Sequence, residues 1–212
     1  MSDTADTSDP KVEWLTVAGD VDTWRSLGLT VTTEGLIPLV GASIRIVAAT
    51  GDQESGITGW ALSGVEAVPE IDGLVTEVVA PMAPTYAQHP LRASGLDHVV
   101  VSTADLERTS AAIAVATHCE LKRIREVGTM RQGFHRIGRG GLMVELVERP
   151  DLPAGPASFW GLVLIVDDID AAYELIGSER ISPPKDAVQP GRRIATIRAD
   201  VGLGLPVALM TP

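Results

Sequence analysis

The sequence lacks several features on which whole classes of proteins depend. Its single cysteine, Cys119, rules out a disulfide within the chain and favours a reducing compartment. Its 17 lysines and arginines are outnumbered by 28 aspartates and glutamates, and the net charge of −11 argues against binding to a nucleic acid backbone. No apolar run approaches the roughly 20 residues that a membrane helix needs. We therefore expect a cytoplasmic protein without a nucleic acid or membrane partner.

Aromatic residues are also few, at 4% of the chain, whereas residues that build turns are common. The 21 glycines and 14 prolines are typical of many short elements joined by tight turns. Hydrophobic residues make up 45% of the chain, which is enough for a sizeable core. Residues 1–10 are polar and acidic and lack the apolar stretch of a secretory signal, so we predict a disordered tail there.

The second half of the chain repeats itself with an offset of 63 residues. GLDHVVVSTADL at 95–106 aligns with SFWGLVLIVDDI at 158–169, and both are strand-like apolar runs that end at a helix-capping side chain. GLMVELVERP at 141–150 aligns with GLPVALMTP at 204–212 at the same offset. Each copy is therefore predicted to fold as a β–α–β–β–β unit, and residues 95–212 form a pair of such units.

The first half of the chain looks like a degenerate form of the same unit. Residues 11–81 give one β–α–β–β–β unit and a fragment that resembles the start of another, and the alignment places Trp14 opposite His98 and Arg45 opposite Glu145. Residues 82–94, MAPTYAQHPLRAS, show no periodicity and contain two prolines, so we predict a linker there.

A single β–α–β–β–β unit cannot bury the face of its own sheet, so the units are expected to associate. The predicted fold is α+β, with tandem units that form curved mixed sheets and helices on the outer face. The concave face then becomes a cup that is lined by alternate residues of the strands. If His98 faces the cup, Val100 and Ser102 face it too, and Glu145 is accompanied by Met143 and Val147.

These stretches resemble the vicinal-oxygen-chelate superfamily, which includes glyoxalase I, bleomycin-resistance proteins and extradiol dioxygenases. The resemblance is carried by GLDHVVVSTADLERT, GFHRIGRGGLMVELVERP and FWGLVLIVDDIDAA, followed by PGRRIATIRADVGLGLPVALMTP. It covers residues 94–212 well and residues 12–81 weakly. It implies a small oxygenated ligand and a homodimer.

The resemblance also implies a divalent metal ion, for which each unit supplies a ligand from its first strand and a carboxylate from its last. His98 and Glu145 occupy these positions in one unit, but Gly161 and Ala208 occupy them in the other and have no side-chain donor. The ligand set is therefore incomplete unless His135 supplies a third ligand. The alternative is that His98 and Glu145 form a hydrogen-bonded pair in the wall of the cup.

The function that the resemblance favours is the binding of a small oxygenated molecule in the C-terminal cup, with lyase or isomerase chemistry as an extension. His98 is then the general acid or base and Glu145 orients it. Two other hypotheses stay open: a non-catalytic protein that sequesters an antibiotic-type molecule without a metal, and a structural protein that has lost its ligands. The further residues expected to contact the ligand are Trp160, His135, Met143 and Arg193.

Overall fold

The computed structural model describes residues 9–49 and 55–212. Its strands are β1 (Lys11–Ala18), β2 (Leu36–Ile37), β3 (Ser43–Val47), β4 (Gly56–Ser63), β5 (Glu70–Ile71), β6 (Leu74–Val78), β7 (Ala93–Thr103), β8 (Leu121–Val127), β9 (Met130–Arg136), β10 (Met143–Glu148), β11 (Ser158–Val166), β12 (Lys185–Asp186), β13 (Arg193–Thr196) and β14 (Val207–Met210). The α-helices are α1 (Val21–Ser26), α2 (Leu106–Thr117) and α3 (Ile169–Ile176).

The predicted tail at 1–10 lies outside the described residues except for its last two positions. There, a carboxylate oxygen of Asp9 accepts a hydrogen bond from the backbone N–H of Arg139, so the start of the described chain contacts the C-terminal half. No helix within the described residues is both long and apolar enough to cross a membrane.

The C-terminal half forms one eight-stranded mixed sheet, in the order β12-β13-β14-β11-β7-β10-β9-β8. The first strands of the two units, β7 and β11, lie side by side and antiparallel, and each pairs in parallel with the last strand of its own unit. Val100 pairs with Glu145 in one unit, and Val163 pairs with Ala208 in the other. Both residues of the second pair lie 63 positions after those of the first, so the strand register confirms the repeat.

The helices α2 and α3 cover the convex face of this sheet, as expected for the α+β fold. Each begins at an aspartate that accepts a hydrogen bond from a backbone N–H of the first turn, Asp105 for α2 and Asp168 for α3. Leu106 and Ile113 of α2 are fully buried in the same core as Leu146 of β10. The helices thereby fix which face of the sheet is concave and open.

The N-terminal half forms a six-stranded sheet in the order β2-β3-β1-β4-β6-β5. Its parallel and antiparallel strand pairs are arranged as in the C-terminal sheet. The pairs β1/β3 and β4/β6 are parallel, and β1/β4 is antiparallel. Residues 56–78 are therefore more than the fragment predicted from the sequence. They keep the first and last strands of a unit and omit the helix, which is how the strands fit into so short a segment.

The two halves pack against each other through the first strands of their second units. Trp60 of β4 and Phe159 of β11 make an edge-to-face contact, with ring centroids 5.4 Å apart. The predicted linker at 82–94 is tied to the N-terminal sheet by His89, because its Nδ1 accepts a hydrogen bond from the N–H of Thr30 and its Nε2 donates to the carbonyl of Pro38. The last two linker positions already belong to β7.

Candidate functional site

A cavity of about 730 Å³ occupies the concave face of the C-terminal sheet. One wall, from β11, β13 and β14, is largely apolar, whereas β7, β9 and β10 supply most of the polar side chains. The apolar wall includes Leu162, Val163, Ile194, Val207 and Ala208, and the polar side chains include His98, Ser102, Gln132 and Glu145. The predicted cup is therefore a real cavity, and His98 and Glu145 both face it.

The imidazole of His98 lies between two carboxylates. Its Nδ1 is 2.7 Å from an oxygen of Asp97, and its Nε2 is 3.3 Å from an oxygen of Glu145. The three side chains are 12%, 18% and 13% exposed for His98, Asp97 and Glu145 respectively, so the cluster is mostly shielded from water. The contact with Asp97 is a short hydrogen bond, and the contact with Glu145 is longer than a usual one.

A β-bulge explains how Asp97 and His98 reach each other although they are neighbours on one strand. In the pairing of β7 with β11, Leu164 is opposite Leu96 and Val163 is opposite His98, so Asp97 is an extra residue without a partner. Successive strand residues normally point to opposite faces, but a bulge interrupts that alternation. It allows the Asp97 carboxylate to contact the imidazole beside it.

Arg192 holds the other oxygen of Asp97. Its guanidinium donates to Asp97 at 2.7 Å and to the backbone carbonyl of Thr211 at 2.7 Å. Burial acts to raise the pKa of Asp97, but hydrogen bonds from His98 and Arg192 outweigh it, and the pKa is lowered overall. Asp97 is therefore ionised at neutral pH and accepts the proton of His98 Nδ1.

The pKa of Glu145 is shifted in the opposite direction. Burial raises its pKa, and the electrostatic effects of His98, Arg125 and Arg123 offset this only in part. One oxygen of Glu145 accepts a hydrogen bond from the side-chain amide of Gln132 at 2.8 Å, and the other faces His98. A carboxyl group whose pKa is raised keeps its proton to a higher pH than an exposed carboxyl group does.

Trp160 also lines the cavity and lies in a second bulge, in β11. Phe159 pairs with Val101 and Gly161 pairs with Val100, which leaves Trp160 as the extra residue of β11. Its side chain is 50% exposed and lines the cavity. An aromatic face at this position can stack on a planar part of a ligand.

Three residues expected to contact the ligand lie elsewhere. His135 pairs with Val144 on the convex face, where its imidazole is buried and bonds to the hydroxyl of Ser110 and the carbonyl of Cys119. The pleat of β9 separates it from the cup, because Glu145 is opposite Phe134 rather than His135. Burial lowers the pKa of His135, and the bond to Cys119 opposes this only in part. His135 therefore supplies no third metal ligand.

Arg193 and Met143 are the other two. The guanidinium of Arg193 makes a two-pronged ion pair with Asp170 at the start of α3. Met143 pairs with His98 on the strand face that Glu145 shares, but it is not among the residues that line the cavity.

Sequence reasoning missed Asp97, Arg192 and Gln132. Gln132 is two residues from Phe134 on the cup side of β9, so strand alternation alone would have placed it there once the register was known. Asp97 had no such signal, since an unbroken strand would have turned it away from His98.

Comparison with known proteins rests on structure, because no family model and no curated protein sequence matches the chain. A mutant of 4-hydroxymandelate synthase from Streptomyces coelicolor, a vicinal-oxygen-chelate protein, superposes with a TM-score of 0.67 over 95% of this chain and 92% of its own, at 15% identity. The chain has the vicinal-oxygen-chelate fold.

Two other solved structures with the vicinal-oxygen-chelate fold match part of the chain. Methylmalonyl-CoA epimerase from Mycobacterium tuberculosis is 18% identical over 57% of this chain and 89% of its own, with a TM-score of 0.48. The epimerase from Streptomyces coelicolor, in complex with 2-nitronate-propionyl-CoA, is 20% identical over 56% of this chain and 94% of its own, with a TM-score of 0.46. At such identities the likeness concerns the fold and not the chemistry.

The four positions at which the resemblance implies metal ligands do not fit a divalent ion held by the protein. His98 and Glu145 offer two donors, and Ala208 offers none. At Gly161 a Cβ atom would lie 2.7 Å from the carbonyl oxygen of Pro206, so the backbone leaves no space for a side chain. In the part of the chain that the structure describes, no group of three or more histidine, cysteine, aspartate or glutamate side chains is arranged so that it could hold a metal ion.

Proposed function

We propose that the C-terminal cup binds a small molecule and catalyses a proton transfer on it, as a lyase or an isomerase. The observation that carries this proposal is the imidazole of His98, held by Asp97 at one nitrogen and facing Glu145 and the cavity with the other. A histidine in this arrangement is suited to general acid–base catalysis, because a carboxylate fixes the orientation of its ring and its second nitrogen faces the cavity.

Asp97 takes the orienting role that the sequence assigned to Glu145. Since Asp97 accepts the Nδ1 proton, Nε2 of the neutral imidazole carries the free electron pair. Nε2 removes a proton from a carbon beside a carbonyl group, and the electron pair of that C–H bond moves to the carbonyl oxygen. Protonated Glu145 donates its proton to that oxygen, which gives a neutral enol.

Two outcomes follow from the enol. Return of the proton from His98 to a neighbouring atom, with Glu145 recovering its own proton, completes an isomerisation. In an elimination, a group on the next carbon instead leaves with its bonding electron pair and takes the proton of His98, while the enol O–H returns its proton to Glu145. In both cases His98 and Glu145 hold the transferred protons, and the apolar wall of the cavity strengthens their electrostatic interactions with the substrate.

The cavity suits a substrate with a small apolar body. Its volume of about 730 Å³ lies in the range of ordinary ligand pockets, and the side chains of β11 and β14 give it an apolar wall. Trp160 adds a flat surface on which an unsaturated or aromatic group can stack.

Hydrogen–deuterium exchange into a simple carbon acid tests the proposal. The probe is 1-phenylpropan-2-one in D₂O, because its C1 protons lie between an aromatic ring and a ketone. The loss of these protons is followed by ¹H NMR. The wild-type protein is expected to accelerate exchange by about 10²–10⁴-fold over buffer, and His98→Gln to abolish the acceleration. Acceleration that survives in His98→Gln would contradict the proposal.

A second candidate function is non-catalytic sequestration of an apolar molecule in the same cup. This function is favoured by Gly161 and Ala208, which have no side-chain donor at two positions where the resemblance implies metal ligands. Thermal stabilisation of the wild-type protein by 1-phenylpropan-2-one without faster exchange would support this function over catalysis, because a ligand that binds the native state raises its stability.

A further inference from the structure

Two arginines of the edge strand β8 share the sheet face of the cup but lie outside the lining of its cavity. Arg125 is opposite Gln132 and Arg123 is opposite Phe134, and both partners belong to the cup side of β9. The guanidinium of Arg123 lies 4.5 Å from the centre of the Phe134 ring. Residues paired across a sheet share a face, so Arg123 and Arg125 stand on the same concave surface as Glu145.

These two guanidinium groups have no carboxylate partner within the described residues, although the chain is strongly acidic. The other cations near the cavity are neutralised: Arg149 pairs with Asp151, and Arg192 pairs with Asp97. Arg123 and Arg125 therefore carry positive charge that no carboxylate of the described residues neutralises.

The distance from Glu145 to the two arginines sets the length of a ligand that would contact both. Glu145, Phe134 and Arg123 lie in one row across three neighbouring strands. At strand spacings of about 4.8 Å, Arg123 is roughly 10 Å from Glu145 along the sheet. The Phe134 ring lies between them, beneath the guanidinium of Arg123.

We propose that Arg123 and Arg125 bind the carboxylate of a ligand whose apolar body lies in the cup, with its reactive part at His98 and Glu145. The inference rests on the proposed function and adds a substrate class to it: an apolar carboxylic acid about 10 Å long. Arginine matches this group well, because its planar guanidinium donates two parallel hydrogen bonds to a carboxylate.

Charged side chains on an edge strand also prevent sheets from pairing edge to edge. That role needs charge on β8 but no selectivity for a ligand, so a matched pair of probes separates the two roles. 6-Phenylhexanoate and 6-phenylhexanamide have the same length and the same apolar body, and only the first carries a negative charge.

The experiment measures the affinity of both probes by isothermal titration calorimetry. Arg123→Gln/Arg125→Gln is compared with Arg25→Gln/Arg139→Gln, which removes the same charge from exposed positions outside the cup. We expect the β8 variant to bind 6-phenylhexanoate at least about tenfold more weakly and 6-phenylhexanamide equally well, since hydrogen bonds to a charged group are strong. The control variant keeps both affinities. Melting temperatures check that each variant is folded.

Two other results would overturn the inference and point to different failures. Unchanged affinity for 6-phenylhexanoate in the β8 variant, together with weaker binding of both probes by Trp160→Ala, would leave the cup as a binding site without this anion site. If Trp160→Ala has no effect on either probe, or neither probe binds, the cup itself is not the ligand site and the proposed function fails too.

Discussion

At the scale of single residues, the candidate site depends on one extra residue in strand β7. Asp97 has no partner across β11, and this irregularity brings its carboxylate onto the Nδ1 of His98. The identity of His98 and Glu145 as cup residues could be predicted from the repeat and from strand alternation. Asp97 could not, because a bulge is set by local backbone geometry and by the ion pair with Arg192, neither of which leaves a periodic pattern.

Asp97→Asn is expected to lower the rate of exchange into 1-phenylpropan-2-one by about 10- to 100-fold, because a charge-assisted hydrogen bond of about 1.5–3 kcal/mol no longer fixes the imidazole. The free energy of unfolding should fall by a similar amount, since Arg192 loses its carboxylate. Asp170→Asn breaks an exposed pair with Arg193 and is the control, with an expected cost of about 0–1 kcal/mol. Equal effects of the two variants would contradict the orienting role.

The pH dependence of this stabilisation has a definite sign. The pKa of Asp97 is lowered in the folded protein, so its contribution is complete above 3.8, the ordinary value, and is lost as the pH falls through the lowered folded pKa. The difference in unfolding free energy between wild type and Asp97→Asn should therefore be constant from pH 7 to 5 and shrink below pH 4. Denaturant titrations at each pH measure it, and a difference that grows at low pH would refute the assignment.

Gly161 illustrates a residue whose role is to have no side chain. A Cβ there would lie 2.7 Å from the Pro206 carbonyl, so Gly161→Ala should destabilise the protein by about 1–3 kcal/mol through forced displacement of β14. Gly155→Ala is the control, because its nearest contact would be an ordinary 3.9 Å. Thermal unfolding measures both. A Gly161→Ala variant as stable as the wild type would contradict the claim that position 161 has no space for a side chain.

At the scale of elements, the pleat of β9 decides which histidine is structural. His135 and Phe134 are neighbours in sequence, but only Phe134 shares the face of Glu145. The repeat could be predicted because its offset is preserved over four strands. The face of β9 could not, because a register shift of one residue exchanges the two faces and the sequence GFHR carries no alternation to fix it.

His135→Gln is expected to destabilise the protein by about 1–3 kcal/mol, because the imidazole loses its hydrogen bonds to Ser110 and Cys119. The affinity for 1-phenylpropan-2-one should stay unchanged, since these bonds lie on the convex face, away from the cup. Burial lowers its pKa below 6.5, so the unfolded chain takes up the proton first and the histidine's contribution is lost as the pH falls below that value. The destabilisation should therefore be smaller at pH 5 than at pH 7.5. His118→Asn, at an exposed helix end, controls for histidine titration. Loss of ligand affinity in His135→Gln would contradict the convex placement.

At the scale of the whole molecule, the two halves repeat one arrangement with different contents. In the N-terminal sheet the positions equivalent to His98 and Glu145 are held by Trp14 and Arg45, whose guanidinium lies 5.1 Å from the indole ring. The two side chains thus contact each other in place of an acid–base pair. The sequence alignment predicted this pairing of positions, but it missed that residues 56–78 complete a second unit, because the lost helix removed the strongest signal.

Asp72 links the two halves, and its substitution should lower the free energy of unfolding. Its carboxylate accepts hydrogen bonds from Arg108 and from the hydroxyl of Thr109 at the start of α2. Asp72→Asn keeps the left-handed backbone that asparagine tolerates, and it is expected to cost about 1–3 kcal/mol in urea unfolding. Asp22→Asn, which breaks an exposed pair with Arg25, should cost far less. Equal stabilities of the two variants would mean that Asp72 does not couple the halves.

The protonation of His98 is the most direct test of the proposed site. Two-bond ¹H–¹⁵N correlation spectra distinguish the two ring nitrogens, and His98→Gln assigns the signal among the four histidines. We expect Nδ1, which faces Asp97, to carry a proton, and the Nε2 signal to shift when 1-phenylpropan-2-one binds. A proton on Nε2 with a bare Nδ1, or ring signals that do not respond to the ligand, would contradict a catalytic imidazole held by Asp97 in the cup.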